Sequence, residues 1–504
     1  LLEQAIKLDS NLVSAINLTA TTYSYIDDFD KAEEIFNKAK EVSIRLNDMV
    51  AQATAIGGIA VLYYQRGNLD GALDLMIQAK SIAEKAGDKG QVARNLNNIS
   101  IIYSARGDQQ KALEVLIEMR ELAESIGDKL RLVYAHQNLA YVYSVTGKKD
   151  ISMEHTLKAY ELAKELEDIE MQAGALTNIA FGKLENKEYE DGLQQFNQIL
   201  DIYDKLGENS KVVNTLHRIA MAYIYMHKDA DALETCERAL ILSKEIKNDP
   251  LIATCYNSIA SVQSELGNRS EGLKNLKQSK KISENGNNQD GLGMVTGMIA
   301  NHFQETGDLD SAMHYIKESF KIHDELGNKS QILQNISFMA GLDLQKGDTE
   351  SAMDHLDQSM AIAKEIKDDM RSNFYHFGRG LIYFQQKDYA LAMDGNMSKW
   401  YKWYTENEKD ISLLDMSVYL VCLKKLDRDV NLTQLEKLME EKPERKYGYE
   451  LNYRLYQLYD DRSYLKSSYE KIMDIKSKLD DKTGKKFINY PLESEIVEVY
   501  RSIS

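Results

Sequence analysis

"LNNISIIYSARGD", Leu96 to Asp108, is echoed downstream by "HQNLAYVYSVTGK", His136 to Lys148, and upstream by "IGGIAVLYYQRGN", Ile56 to Asn68. Each stretch carries a small residue, then an aromatic, then a glycine, as in Ser100, Tyr103 and Gly107. The interval is 40 residues and holds without insertion from about Met49 to Glu408. A fixed period of this length marks stacked supersecondary units, each too small to bury its apolar face alone.

Two columns of small residues run through the chain. The first reads Ala20, Ala60, Ser100, Ala140, Ala180, Ala220, Ala260, Ala300, Ala340, Gly380. The second reads Ala32, Ala72, Ala112, Ser152, Gly192, Ala232, Gly272, Ala312, Ala352, Ala392. Small side chains at matched places let two helix backbones approach closely. Between the columns, Gly67, Gly107, Gly147, Gly267, Gly307 and Gly347 stand where a helix must stop and reverse in a left-handed conformation. Asp27, Lys187, His227 and Lys387 hold that place in other repeats, which predicts strained or reshaped turns. Repeat ends such as Asp48, Asp88, Asp128, Asp168 and Asn248 can cap the helix that follows. A third column, from Phe36 and Met76 to Leu356 and Asn396, is expected to face inward. A fourth is aromatic at Tyr23, Tyr63, Tyr103, Tyr143, Tyr223, Phe303 and Tyr383, with Lys183, Gln263 and Asp343 departing.

These residues resemble the tetratricopeptide repeat: small, then aromatic, then glycine, then Ala-x-x-x-Phe. The resemblance implies an all-α fold, a right-handed α-solenoid, or superhelix, of stacked helical hairpins. The array is expected over 1–408, with a partial 34-residue repeat at 1–10, a transitional repeat at 11–48 and nine 40-residue repeats at 49–408. The interval from Ala5 to Ala39 is 34 residues and "AIKLDSN" looks like the end of a second helix, so the chain is read as a fragment of a longer protein. The longer period resembles the kinesin light chain branch of the family. Residues 409–504 are expected to hold degenerate helical repeats and a C-terminal cap, with helices near 410–426, 431–442, 446–459, 462–480 and 491–502. Pro443 and "DDKTGKK" mark breaks. The closing "KKFINYPLESEIVEVYRS" resembles the segment, Phe followed by N-x-P-x-x-x-E-I, that ends the repeat regions of large bacterial signalling proteins and transcriptional ATPases. Phe487, Asn489, Pro491, Glu495 and Ile496 carry that likeness.

Composition excludes several classes of function. The chain is 43% apolar and 28% charged with three prolines, which fits helix nearly throughout. A net charge of −17 argues against a nucleic-acid or membrane surface as partner. Cys236, Cys255 and Cys422 are scattered and odd in number, as suits a reducing, cytoplasmic setting without disulfides. No phosphate loop, nucleophile elbow, H-E-x-x-H or paired C-x-x-C occurs. "GLGMVTG" at 291–297 begins a first helix rather than following a strand, and is read as structural. His155 and His355 share a repeat phase but lie five repeats apart, too far for one metal. Cys236 and Cys255 fall in packing columns and are read as core. No cofactor or metal is expected, and the region is expected to be non-enzymatic, with any catalytic domain lying upstream.

What remains is a concave face lined by first helices. Counting back from the first small-residue column gives Asn97 and Asn98, Gln137 and Asn138, Thr177 and Asn178, His217 and Arg218, and Asn257 with Ser258. Arg94, Tyr134 and Asn214 stand one turn earlier, and Tyr141 follows the column. An amide both donates and accepts, so a row of amides at one helical phase suits an extended peptide backbone. The same asparagines could instead bridge neighbouring helices. From residue 289 the matching positions turn apolar or empty, at Gly297 and Met298, Ser337 and Phe338, Phe377 and Gly378. That half is expected to meet another domain or molecule. The leading expectation is a scaffold for a peptide segment or protein domain, serving as the C-terminal regulatory or sensor region of a bacterial signalling protein. By resemblance, a cyclase or serine/threonine kinase in cis is the favoured catalytic half. The rivals are a free-standing adaptor, a receptor for a small signal peptide, and the sensor part of a histidine kinase.

Overall fold

Left-handed residues recur every twenty positions, and they set the architecture. Gly67, Gly107, Gly147, Gly267, Gly307 and Gly347 have φ between 78° and 85°, and Lys187, His227 and Lys387 adopt the same region at 64°, 56° and 63°. Asp27 lies outside the described residues. A second series, unforeseen from the sequence, falls halfway between: Asn47, Gly87, Gly127, Glu167, Gly207, Lys247 and Gly327, at φ 54° to 72°. From Met49 to Glu365 the described helices are therefore near-equal in length, and the described turns between them match. The computed structural model describes residues 12–26, 28–286, 288–366, 368–407, 411–441 and 447–503.

The described helices follow in hairpin pairs. They are α1 Val13–Tyr25, α2 Phe29–Arg45, α3 Met49–Gln65, α4 Leu69–Ala86, α5 Lys89–Ala105, α6 Gln109–Ile126, α7 Lys129–Val145, α8 Lys149–Glu165, α9 Ile169–Glu185, α10 Tyr189–Leu206 and α11 Asn209–Tyr225. Then come α12 Asp229–Glu245, α13 Asp249–Glu265, α14 Arg269–Asn285, α15 Gln289–Glu305, α16 Leu309–Glu325, α17 Lys329–Lys346, α18 Thr349–Glu365 and α19 Asp369–Gln385. The chain ends with α20 Tyr389–Ala392, α21 Ser398–Glu406, α22 Leu413–Lys425, α23 Thr433–Glu441, α24 Tyr449–Tyr459, α25 Arg462–Ser477, α26 Asp481–Phe487 and α27 Pro491–Ile503. Contacts divide the chain into two compact units, Leu1–Lys228 and Asp229–Ser504.

Capping explains where the helices start. Asp48, Asp88, Asp128, Asp168, Asn248, Asn288, Asn328 and Asp368 each accept a hydrogen bond from the backbone N–H three residues on. Glu208 makes no such side-chain cap. The small columns meet as expected. Ser152 Oγ donates to Ala140 O at 2.7 Å, and a Cβ built on Gly192 or Gly272 would lie 3.1 Å from the carbonyl of Ala180 or Ala260. The third column is buried throughout, from Phe36 to Asn396. Strain at the exposed non-glycine turns is testable. Lys187→Gly should raise stability by about 1 kcal/mol, read as a higher urea midpoint, because an L-residue at φ > 0 costs roughly that much.

In the first unit, first helices of successive hairpins touch one another: α1 with α3, α3 with α5, and α5 with α7. Second helices make no comparable contact among the described residues. A stack closer on one side curves toward that side, so first helices line the inner face.

The second unit departs from the regular pattern in three places. The second helix of the last repeat breaks after Ala392, where Asp394 takes ψ 118° and Gly395 φ 68°. Asn396 Nδ2 donates to Leu391 O at 2.8 Å and satisfies the broken turn. "DDKTGKK", read as a break, instead contributes to α26, which Asp480 caps by accepting from the N–H groups of Lys482 and Thr483. A strong cap outweighs a poor composition there. Pro443 and residues 1–10 lie outside the described residues. Finally, α24 to α27 pack back on α15 to α17: Phe487, Tyr490, Ile496 and Val497 share one core with Ile316, Ile332 and Ile336. Pro491 sits on the Gly347 turn, 2.8 Å from where a Cβ would stand. The regular hairpins give way after Ala392, while the packing runs on.

Candidate peptide-binding groove

Within the first unit, Arg94, Asn97 and Asn98 stand on α5, Tyr134, Gln137, Asn138 and Tyr141 on α7, Thr177 and Asn178 on α9, and Asn214, His217 and Arg218 on α11. Arg94, Asn178 and Asn214 are exposed, and Tyr134 and Tyr141 are 41% and 58% exposed. Asn97, Asn98, Gln137, Thr177, His217 and Arg218 are half-buried. Asn257 belongs to the second unit, where its Oδ1 is buried without a hydrogen-bond partner.

The amides are not equivalent. Asn138 Nδ2 donates to Asn97 Oδ1 at 2.7 Å, joining α7 to α5, and Asn97 Nδ2 reaches Asn98 Oδ1 at 3.4 Å. Asn17 also bridges, donating to Ala51 O at 3.3 Å. Thr177 turns back on its own helix, its hydroxyl donating to Ala173 O at 2.9 Å. The bridging role is therefore real for part of the row. It leaves Asn138 Oδ1 with acceptor capacity, and Asn178 exposed beside a cavity.

Two cavities of about 250 Å³ each open beside these residues, the second of them walled in part by Lys149, Asp150 and Met153 of α8. Tyr64, Ser100, Ile101, Asn138 and Tyr141 line one, across three successive first helices. Tyr141, Asn178, Phe181 and Asn186 line the other. Tyr141 is the shared wall. Arg218 places its guanidinium 4.9 Å from the Phe181 ring centre, a cation–π contact that fixes a positive charge beside the second cavity. Burial, then the neighbouring Arg218 charge, holds the His217 imidazole below its ordinary range, so it stays neutral near pH 7.

No described group of side chains is arranged to hold a metal. The thiols are buried: burial pushes Cys236 up to about 12 and Cys422 up to about 11, so neither is a thiolate at neutral pH. His355 and His155, in phase in the sequence, find separate partners. His355 Nδ1 lies 2.8 Å from Asp343 Oδ2, which explains why Asp343 departs from the aromatic column. His155 stacks on Tyr143 and meets His136, Nδ1 to Nδ1, at 2.7 Å. The sequence pattern does not mark that pair, because the column where His136 replaces Leu96, Leu176 and Leu216 also admits Thr296 and His376.

Residues 51–125 and 211–285 match the tetratricopeptide repeat family model. The hairpins within those two stretches are tetratricopeptide repeats. No curated protein matches the chain by sequence. Among solved tetratricopeptide-like structures, the apo form of the quorum sensor NprR from B. thuringiensis is 13% identical over 69% of this chain and 98% of its own, with a TM-score of 0.45. Aspartyl phosphate phosphatase F from Bacillus subtilis is 13% identical over 70% and 94%, with a TM-score of 0.44. BtubC (BKLC) from P. vanneervenii is 17% identical over 44% and 92%, with a TM-score of 0.40. No helix among the described residues is long and apolar enough to cross a membrane.

Proposed function

We propose that the first unit is a non-catalytic scaffold whose inner face receives an extended peptide or a protein segment. The observation that carries this is the pair of neighbouring cavities sharing the Tyr141 wall, with Asn138 bordering one and Asn178 the other. Packed helices lie roughly 8–10 Å apart, the span of about three extended residues. Amides on successive helices can therefore hold a backbone at every third residue, while Tyr134, Tyr141 and Phe181 sort its side chains. Arg94 and Arg218 favour an acidic residue in the bound segment.

Heptapeptides selected from a displayed random library on the wild-type chain supply the probe. Asn98→Ala with Asn138→Ala should weaken the selected peptides about 10- to 100-fold, the loss of one or two hydrogen bonds, with helical circular dichroism intact. Unchanged affinity removes the site assignment. The finer reading is that the array is the regulatory region of a bacterial signalling protein with a catalytic domain in cis. Its support is the likeness carried by Phe487, Asn489, Pro491, Glu495 and Ile496. The reading frame upstream of Leu1 separates it from a free-standing adaptor.

A further inference from the structure

The second unit has a cavity of its own, about 520 Å³, across the first helices α13, α15 and α17. The "GLGMVTG" stretch runs along it. Gly293 and Gly297 stand one helical turn apart on α15 and both line the space. The first is demanded by packing, because a Cβ there would lie 2.6 Å from the His323 ring. The second is not: a Cβ on Gly297 would meet only Ser319 Oγ, at 3.4 Å, an ordinary contact. A glycine inside a helix gives up stability that alanine would keep. What Gly297 provides in return is the open floor.

The walls have a definite chemistry. Met294, Met298 and Phe338 supply apolar surface. Glu265 and Glu305 bring two carboxylates to the lining, and no lysine or arginine lines it among the described residues. Glu305 accepts one hydrogen bond, from Asn301 Nδ2 at 2.9 Å, and keeps further lone pairs. His302, only 7% exposed, lines the cavity and leaves its Nδ1 buried without a protein partner. Burial, then Arg269 and Lys277, keeps this imidazole below its ordinary range, so it is neutral and offers a polar atom rather than a charge. An apolar trough with acidic groups suits a side chain with a methylene stem and a cationic head. Methionines beside it can repack around different neighbours.

We propose that this cavity is a second binding site, separate from the groove of the first unit, and that it takes an arginine or lysine side chain of a peptide with apolar flanking residues. The stem lies between Met294, Met298 and Phe338, and the head reaches Glu265 and Glu305.

The test uses the full chain labelled with ¹³C at methionine methyls and titrated with Ac-Leu-Arg-Leu-NH₂ and Ac-Leu-Glu-Leu-NH₂. The arginine peptide should shift the Met294 and Met298 methyl resonances saturably, and the glutamate peptide should not. Gly297→Leu, which fills the floor, should weaken the arginine peptide by about tenfold or more, as should Glu265→Gln with Glu305→Gln. Gly297→Ala should fold at least as well as wild type and bind with an intermediate loss. Asn98→Ala with Asn138→Ala should leave this binding unchanged, which keeps its outcome distinct from that of the first-unit groove. Equal response to both peptides, no saturable shift, or undiminished affinity in a folded Gly297→Leu chain would overturn the proposal.

Discussion

Phe487→Ala is expected to destabilise the second unit by about 3–5 kcal/mol, the cost of emptying a large buried aromatic site. The ring is 2% exposed and meets Tyr449 and Tyr490 edge-on at 6.2 and 6.5 Å. It also covers the Gly307 turn, where a Cβ would stand 2.9 Å from it. Removing it strips one wall from the core shared by α15 to α17 and the closing helices. The neighbouring ties cannot replace it. Asp310 receives Lys346 Nζ at 3.0 Å and also Lys486, and these pairs hold its carboxyl below the usual range, but exposed ion pairs contribute little. Hydrogen exchange checks the effect: protection should fall together across Gln289–Lys346 and Tyr449–Ile503. Gly307→Ala should act in the same direction, through collision with the ring and through its φ of +84°. Unchanged exchange in both variants would mean that the closing segment does not hold these hairpins.

Acid should act on the first unit through His136. Burial, then the adjoining His155, holds its imidazole down at about 4, with Lys158 and Arg120 adding to the effect and Glu154 opposing it. His155 is depressed as well, chiefly by burial. Their Nδ1 atoms lie 2.7 Å apart, so one must donate and the other accept. Protonating both breaks that bond. In the unfolded chain His136 takes up its proton below about pH 6.5, while in the folded chain it resists until about 4. Stability from His136 is thus complete above pH 6.5 and declines as pH falls toward 4, by about 3 kcal/mol in total at the lower end. Urea midpoints measured between pH 7.5 and 4 should show that decline. His136→Leu with His155→Val, the residue types at Leu96 and Val115, should flatten it. A decline of equal depth in the double variant would assign acid sensitivity elsewhere.

Much of this architecture was legible because its determinants are local and repeated. A left-handed turn favours a glycine at one place, a helix start favours an Asp or Asn at the next, and neither preference depends on distant residues. Repetition then showed which small residues face each other. The alternate turns at Asn47, Glu167 and Lys247 escaped notice because non-glycine residues hold them, and their conformation comes from the helices they join. The groove was only partly readable. The inner-face phase of Asn98, Asn138 and Asn178 follows from helical spacing, whereas the Asn97–Asn138 bridge depends on how closely two helices approach. Gly297 could be marked as empty, but the chemistry of the space it leaves required the walls from α13 and α17.

The sequence by itself determined the hairpin, its period and the faces of its helices, since each follows from contacts within one or two repeats. Only the tertiary structure decided where the closing helices dock, how His136 and His155 pair, and which gaps become cavities. Those outcomes bring together positions far apart in the chain or on separate helices, and side-chain packing selects among partners that a linear pattern leaves equal.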